Sequence, residues 1–132
     1  MQPSTIKVMN DFIAKYPQSK HRDEVTELLA TLYLQTRNYK EALAALEKIK
    51  NRTAGGNAAY QKVAYYRAVE LFNDRDYQQS INLLNKAITT NADALIQAQA
   101  IYWKSEALYN LSKYDDAIKE YRIFIYTPAA LK

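Results

Sequence analysis

Apolar side chains return along this chain at intervals of three and four, the period of one face of an α-helix. Between residues 20 and 37 the series is Val25, Leu28, Leu29, Leu32 and Tyr33, and between 39 and 51 it is Ala42, Leu43, Leu46 and Ile49. The polar step Arg37-Asn38 divides the two runs, which together predict a helical hairpin. Val63, Tyr66, Leu71 and Phe72 lead to a turn at Asp74-Arg75-Asp76, and Ile81, Leu84, Ala87 and Ile88 follow it. A third hairpin has Ile101, Tyr102, Leu108 and Tyr109, a turn at Ser112-Lys113, then Ala117, Ile118, Tyr121, Phe124 and Ile125. Thr5, Met9 and Phe12 share the spacing of Ala42, Leu46 and Ile49, and Pro17 closes that stretch, so residues 4–17 read as a lone second helix. Seven helices and an all-α fold are expected.

The hairpins are copies of one unit. Tyr39, Tyr77 and Tyr114 each start a second helix; Ala30, Ala68 and Ser105 stand nine residues before them, and Ala42, Ser80 and Ala117 three after. Steps of 38 and 37 residues between the tyrosines indicate stacked supersecondary units. Where the small residues meet, no bulky side chain holds the helices of a pair apart, and each tyrosine can cover the seam with its ring while its hydroxyl stays near water. The loop Asn51–Asn57 carries both glycines, Gly55 and Gly56, and is expected to separate the first pair from the second.

The motifs Asn38-Tyr39-Lys40-Glu41-Ala42, Asp76-Tyr77-Gln78-Gln79-Ser80 and Lys113-Tyr114-Asp115-Asp116-Ala117 resemble the turn and second-helix start of tetratricopeptide repeat (TPR) proteins. The resemblance covers nearly all of residues 4–126 and implies a right-handed α-α superhelix. It reads residues 1–132 as a single array: 4–17 as the lone second helix of a preceding unit, then repeats at 20–51, 57–90 and 94–126. The period is three or four residues longer than the family's, and Ala54 and Ala92 stand where the first two pairs would carry closing prolines. Lys15-Tyr16-Pro17-Gln18-Ser19 is similar to junctions in TPR proteins of bacterial cell envelopes. It points to a periplasmic or envelope location and leaves a cytoplasmic one open.

In that family, first helices line a concave groove that binds a peptide or protein segment. The resemblance places Glu24, Glu27, Thr31, Leu34 and Gln35 on that side, then Lys62, Tyr65, Val69, Phe72 and Asn73, then Gln99, Tyr102, Glu106, Tyr109 and Asn110. Tyr65, Phe72, Tyr102 and Tyr109 are the expected anchors, since rings give large contact area at small entropic cost. Gln35, Asn73 and Asn110 are the expected readers of a partner backbone, since an amide both donates and accepts. The opposing reading has these rings packed on neighbouring helices and the amides capping turns. The lysine and asparagine clamp with which adaptor members hold a chain-end carboxylate is absent, because Glu27, Thr31 and Tyr65 occupy its places.

Composition narrows the remaining classes. Among 132 residues there is no cysteine, hence no disulfide, thiol nucleophile or thiolate metal site. The net charge of +4 comes from lysines and arginines scattered among acidic neighbours rather than gathered in a stripe, so nucleic acid is not an expected partner. No run of about 18 apolar residues predicts membrane insertion. The lone His21 has no metal or triad partner in sequence, Asp115-Asp116 is explained by the dipole at a helix start, and Gly55-Gly56 lacks the surroundings of a phosphate loop. No catalytic, cofactor or metal residues are expected, and the chain reads as a non-catalytic interaction scaffold, not an enzyme.

Residues 117–126 are seven-tenths apolar where a terminal repeat should turn a polar face to water. Opening on half a unit, the chain reads as a piece of a longer array, and its apolar end helices also suit self-association. A structural spacer with an empty groove is the alternative function.

Overall fold

The computed structural model describes residues 3–131, all helical apart from short connections. Seven α-helices follow in order: α1 (Pro3–Lys15), α2 (Arg22–Gln35), α3 (Tyr39–Glu47), α4 (Ala54–Asn73), α5 (Tyr77–Thr89), α6 (Ala94–Asn110) and α7 (Tyr114–Ile125). A 3-10 turn, Pro128–Leu131, closes the series. No strand occurs among the described residues, and none of their helices is long and apolar enough to cross a membrane. The chain forms two compact units, residues 1–63 and 64–132, with the division inside α4.

In the first unit α2 packs on α1 and α3. Ala30 and Ala42 are fully buried where α2 and α3 cross. The loop expected through Asn57 is shorter than the sequence suggests, because α4 begins at Ala54 and takes both glycines into its first turn. Neither glycine has a positive φ. Thr53 starts the helix: its carbonyl accepts from Asn57 N–H at 2.8 Å, and its hydroxyl accepts from Gly56 N–H at 3.0 Å while donating to Glu27 at 2.7 Å. A Cβ at Gly56 would lie 2.7 Å from the Glu27 carboxylate that clasps Thr53, so a larger residue there requires that carboxylate to shift.

In the second unit α6 packs on α5 and on α7. The crossing of α4 and α5 is tied directly: Ser80 Oγ donates to the Ala68 carbonyl at 2.7 Å, and both residues are fully buried. A hydroxyl can reach the backbone of another helix only where no larger side chain intervenes. Ser105 and Ala117 are buried at the equivalent crossing of α6 and α7, where Ser105 Oγ donates instead to Ile101 O on its own helix at 2.8 Å. Ile81, Ala107, Leu108 and Ala117 form one core cluster, with Phe72, Tyr77, Leu111 and Tyr121 packed against it.

All three turns within pairs share one geometry. Arg37, Arg75 and Ser112 have φ of 62°, 64° and 61°, the left-handed region. The residue after each closes a wide turn: Asn38 N–H donates to Tyr33 O, Asp76 N–H to Leu71 O and Lys113 N–H to Leu108 O, at 2.8, 2.8 and 2.9 Å. These bonds satisfy carbonyls that a helix end otherwise leaves open. They also redirect the chain so that Tyr39, Tyr77 and Tyr114 open the second helices, as the repeat pattern predicts.

Two outcomes check this account. Ala68→Leu would force a branched side chain into the α4–α5 crossing and should lower stability by about 1–3 kcal/mol in urea unfolding. Arg75→Gly relieves a left-handed conformation costing an L-residue roughly 1–2 kcal/mol, less the extra chain entropy of glycine, and should raise stability by about 0.5–1 kcal/mol.

Candidate functional site

The expected contact residues fall into two groups, and Trp103 divides them. It projects from α6 against α4: its Nε1–H donates to the Tyr65 hydroxyl at 3.1 Å, and its ring meets Phe72 edge-on at 4.9 Å between centroids. Phe72 also meets Tyr77 edge-on at 5.2 Å. Tyr65 and Phe72 are thus joined to the packing of the second unit, and burial raises the Tyr65 hydroxyl pKa above its ordinary value although the Trp103 bond opposes the shift. Trp103, the chain's one tryptophan, is absent from the expected set. Its place one repeat after the adjacent Tyr65 and Tyr66 is the signal that could have found it.

Tyr102 and Tyr109 remain open on the outer side of α6, with Tyr109 56% exposed. Between them on the helix stands Glu106. Its negative charge acts on the hydroxyls of Tyr102 on the same helix and Tyr121 on α7, raising the pKa of both. The Tyr102 ring tilts against Phe124 of α7 at 5.5 Å, and Tyr109 meets Tyr114 edge-on at 5.3 Å. Lys104 and Glu120 clamp the same two helices with a 3.0 Å ion pair, both side chains only about one-fifth exposed. Two helices therefore present a wall of aromatic rings around one carboxylate.

Electrostatics follow from that geometry. Burial, then the nearby Glu106 charge and hydrogen bond, push the Tyr121 hydroxyl up to about 12. Tyr102 is raised chiefly by its interaction with Glu106. Both shifts favour the neutral phenol.

The expected backbone readers are exposed. Asn73 ends α4, and Asn110 ends α6, where its Nδ2–H donates to Glu106 O at 2.8 Å and leaves the side-chain oxygen open to accept. Gln35 ends α2 in the first unit, exposed. Glu27, also expected on this side, accepts from Thr53 N–H at the start of α4 instead.

A cavity of about 200 Å³ lies elsewhere in the first unit, floored by Ile13, Leu29 and Ala45 and rimmed by Asn10, Tyr33 and Glu41. Leu29 and Ala45 in its lining occupy the repeat positions where the third pair carries Lys104 and Glu120. It is smaller than the roughly 300 Å³ at which drug-sized ligand pockets begin. His21 pairs with Glu24 at 3.6 Å on the surface at the start of α2, and no group of potential metal ligands occurs among the described residues.

Comparison of the chain with protein-family models, with curated proteins and with solved structures found no match.

The Tyr121 shift predicts a pH dependence with a definite sign. A phenol with a higher pKa in the folded state holds its proton more tightly there, so its stabilising contribution is complete below about pH 10 and is lost as pH rises toward about 12. Urea midpoints should fall across that window, and Tyr121→Phe should flatten the fall.

Proposed function

We propose that this chain is a non-catalytic protein-interaction scaffold of the tetratricopeptide repeat kind, taking a peptide or protein segment on the outer face of α6. One observation carries the reading: Tyr102, Glu106, Tyr109 and Asn110 form a continuous ridge at helical spacing that the second unit's own packing leaves accessible. Tyr65 and Phe72, whose places are one repeat earlier, are engaged by Trp103 and serve as its support. The working contacts are the two open rings, which offer area, and the Asn110 and Asn73 amides, which offer hydrogen bonds to a partner backbone.

The repeat family is supported by three in-phase hairpins with the same left-handed turn, the same tyrosine at the start of the second helix and the same small residues at the crossing. A right-handed superhelix and a place in a bacterial cell envelope belong to this proposal through the resemblance alone.

Peptides selected by display against the intact chain provide the test. Tyr102→Ala combined with Asn110→Ala should weaken a selected peptide by about 30-fold or more, the scale of losing a central anchor. Lys7→Ala on α1 should leave it unchanged. Selected peptides that all bind the double variant as tightly as the native chain would remove the α6 face from the reading.

A further inference from the structure

The exposed face of α6 and α7 repeats, 37 residues on, a face of α4 and α5 that α6 covers. Tyr65, Phe72, Tyr77 and Ile81 become Tyr102, Tyr109, Tyr114 and Ile118, and Ile88 becomes Ile125. Ile81 is 6% exposed because it packs with Ala107 of α6 and its neighbours, whereas Ile118 is 53% exposed. Ile125 and Tyr114 are likewise open. The second unit thus contains both a filled stacking interface and a copy whose Tyr109, Tyr114, Ile118 and Ile125 stay open although the Pro128–Leu131 turn packs on the same two helices.

One position differs in kind. Trp103 bridges Tyr65 and Phe72, which lie two turns apart on α4, so it spans the turn whose outward residue on that stripe is Val69. The copy has Glu106 in place of Val69. An indole suits valine between two rings. The same indole over Glu106 would cover a carboxylate without giving it a cation, at a cost in desolvation. The Tyr102 and Tyr121 hydroxyls are near enough for the Glu106 charge to act on both, and a carboxylate offers about four lone-pair sites, so acceptor capacity remains.

We infer that the α6–α7 face docks an amphipathic α-helix of a partner protein that carries an arginine where α6 carries Trp103, with alanines one turn to either side. The alanines follow from the filled interface, in which Ala100 and Ala107 flank Trp103 at spacings of three and four and are fully buried. The arginine follows from the site. A guanidinium is planar enough to lie between the Tyr102 and Tyr109 rings, its charge is attracted to their faces, and it can bond Glu106 through two parallel N–H groups. Ile118 and Ile125 give the helix its apolar bed. This assignment rests on the interaction reading above and specifies its partner.

The chain supplies its own probe. Three stapled peptides of residues 94–111 are compared, one native, one with Trp103→Arg and one with Trp103→Glu, the staple on the solvent side removing dependence on intrinsic helicity. Fluorescence anisotropy against the intact native chain should show the Trp103→Arg peptide bound at least tenfold more tightly than the other two. Against a chain carrying Glu106→Val the native peptide should become the tightest, and Glu106→Gln should abolish the arginine preference while retaining a hydrogen-bonding side chain. An unchanged ranking across the three chains, or no binding by any peptide, overturns the inference. So does a native chain that sediments as a dimer broken by Ile118→Lys, which would assign the face to a second copy. Display-selected peptides that respond to Tyr102→Ala with Asn110→Ala, while the three helical peptides bind equally, would remove the arginine helix and leave the interaction reading standing.

Discussion

The close approach of paired helices is the constraint on which the rest depends. A 2.7 Å hydrogen bond from Ser80 Oγ to the Ala68 carbonyl is possible only because nothing larger than a methyl or hydroxymethyl group separates α4 from α5. That proximity fixes where the chain must reverse, and reversal within so short a connection requires the left-handed residue found at Arg37, Arg75 and Ser112. None of the three is glycine, so each turn carries conformational strain that packing of the pair must offset. Tyr77, beginning the next helix, then meets Phe72, and Phe72 meets Trp103. One narrow crossing thereby sets the positions of the aromatic chain linking α4, α5 and α6.

The fold was largely legible because helical periodicity and helix termination are local properties. The apolar series, the polar turns and the tyrosines at Tyr39, Tyr77 and Tyr114 identify the hairpins without knowledge of their surroundings, and the recurring alanines and serines identify the crossings. What failed locally was governed by distant contacts. Gly55 and Gly56 look like a loop by composition, yet they lie in the first turn of α4, where the Glu27 carboxylate approaches from α2 to within 2.7 Å of where a Cβ of residue 56 would stand. No local signal connects residues 27 and 56.

The candidate site was legible in outline only. Periodicity places Tyr65, Phe72, Tyr102 and Tyr109 on one side of their helices, but it cannot distinguish a ring awaiting a partner from one already covered. Trp103 makes that distinction, through contacts 31 and 38 residues away in sequence to Phe72 and Tyr65. The electrostatic coupling of Glu106 to Tyr121 was equally hidden, since Tyr121 stands on another helix. Side-chain type and spacing give the stripe; its availability is decided by the neighbouring helix.

The exchange of valine for glutamate between equivalent stacking faces bears on the growth of assemblies. A face that reproduced the filled interface in every residue would accept an α6 exchanged from another molecule, the swapping of an identical element by which copies of a chain become linked. A carboxylate where the filled interface has Val69 would lie under the exchanged indole and raise the free energy of that association, while the hydrophobic area around it stays exposed. On the proposed reading, the exchange at residue 106 makes the α6–α7 face a poorer seat for a copied α6 than the α4–α5 face is for the native one.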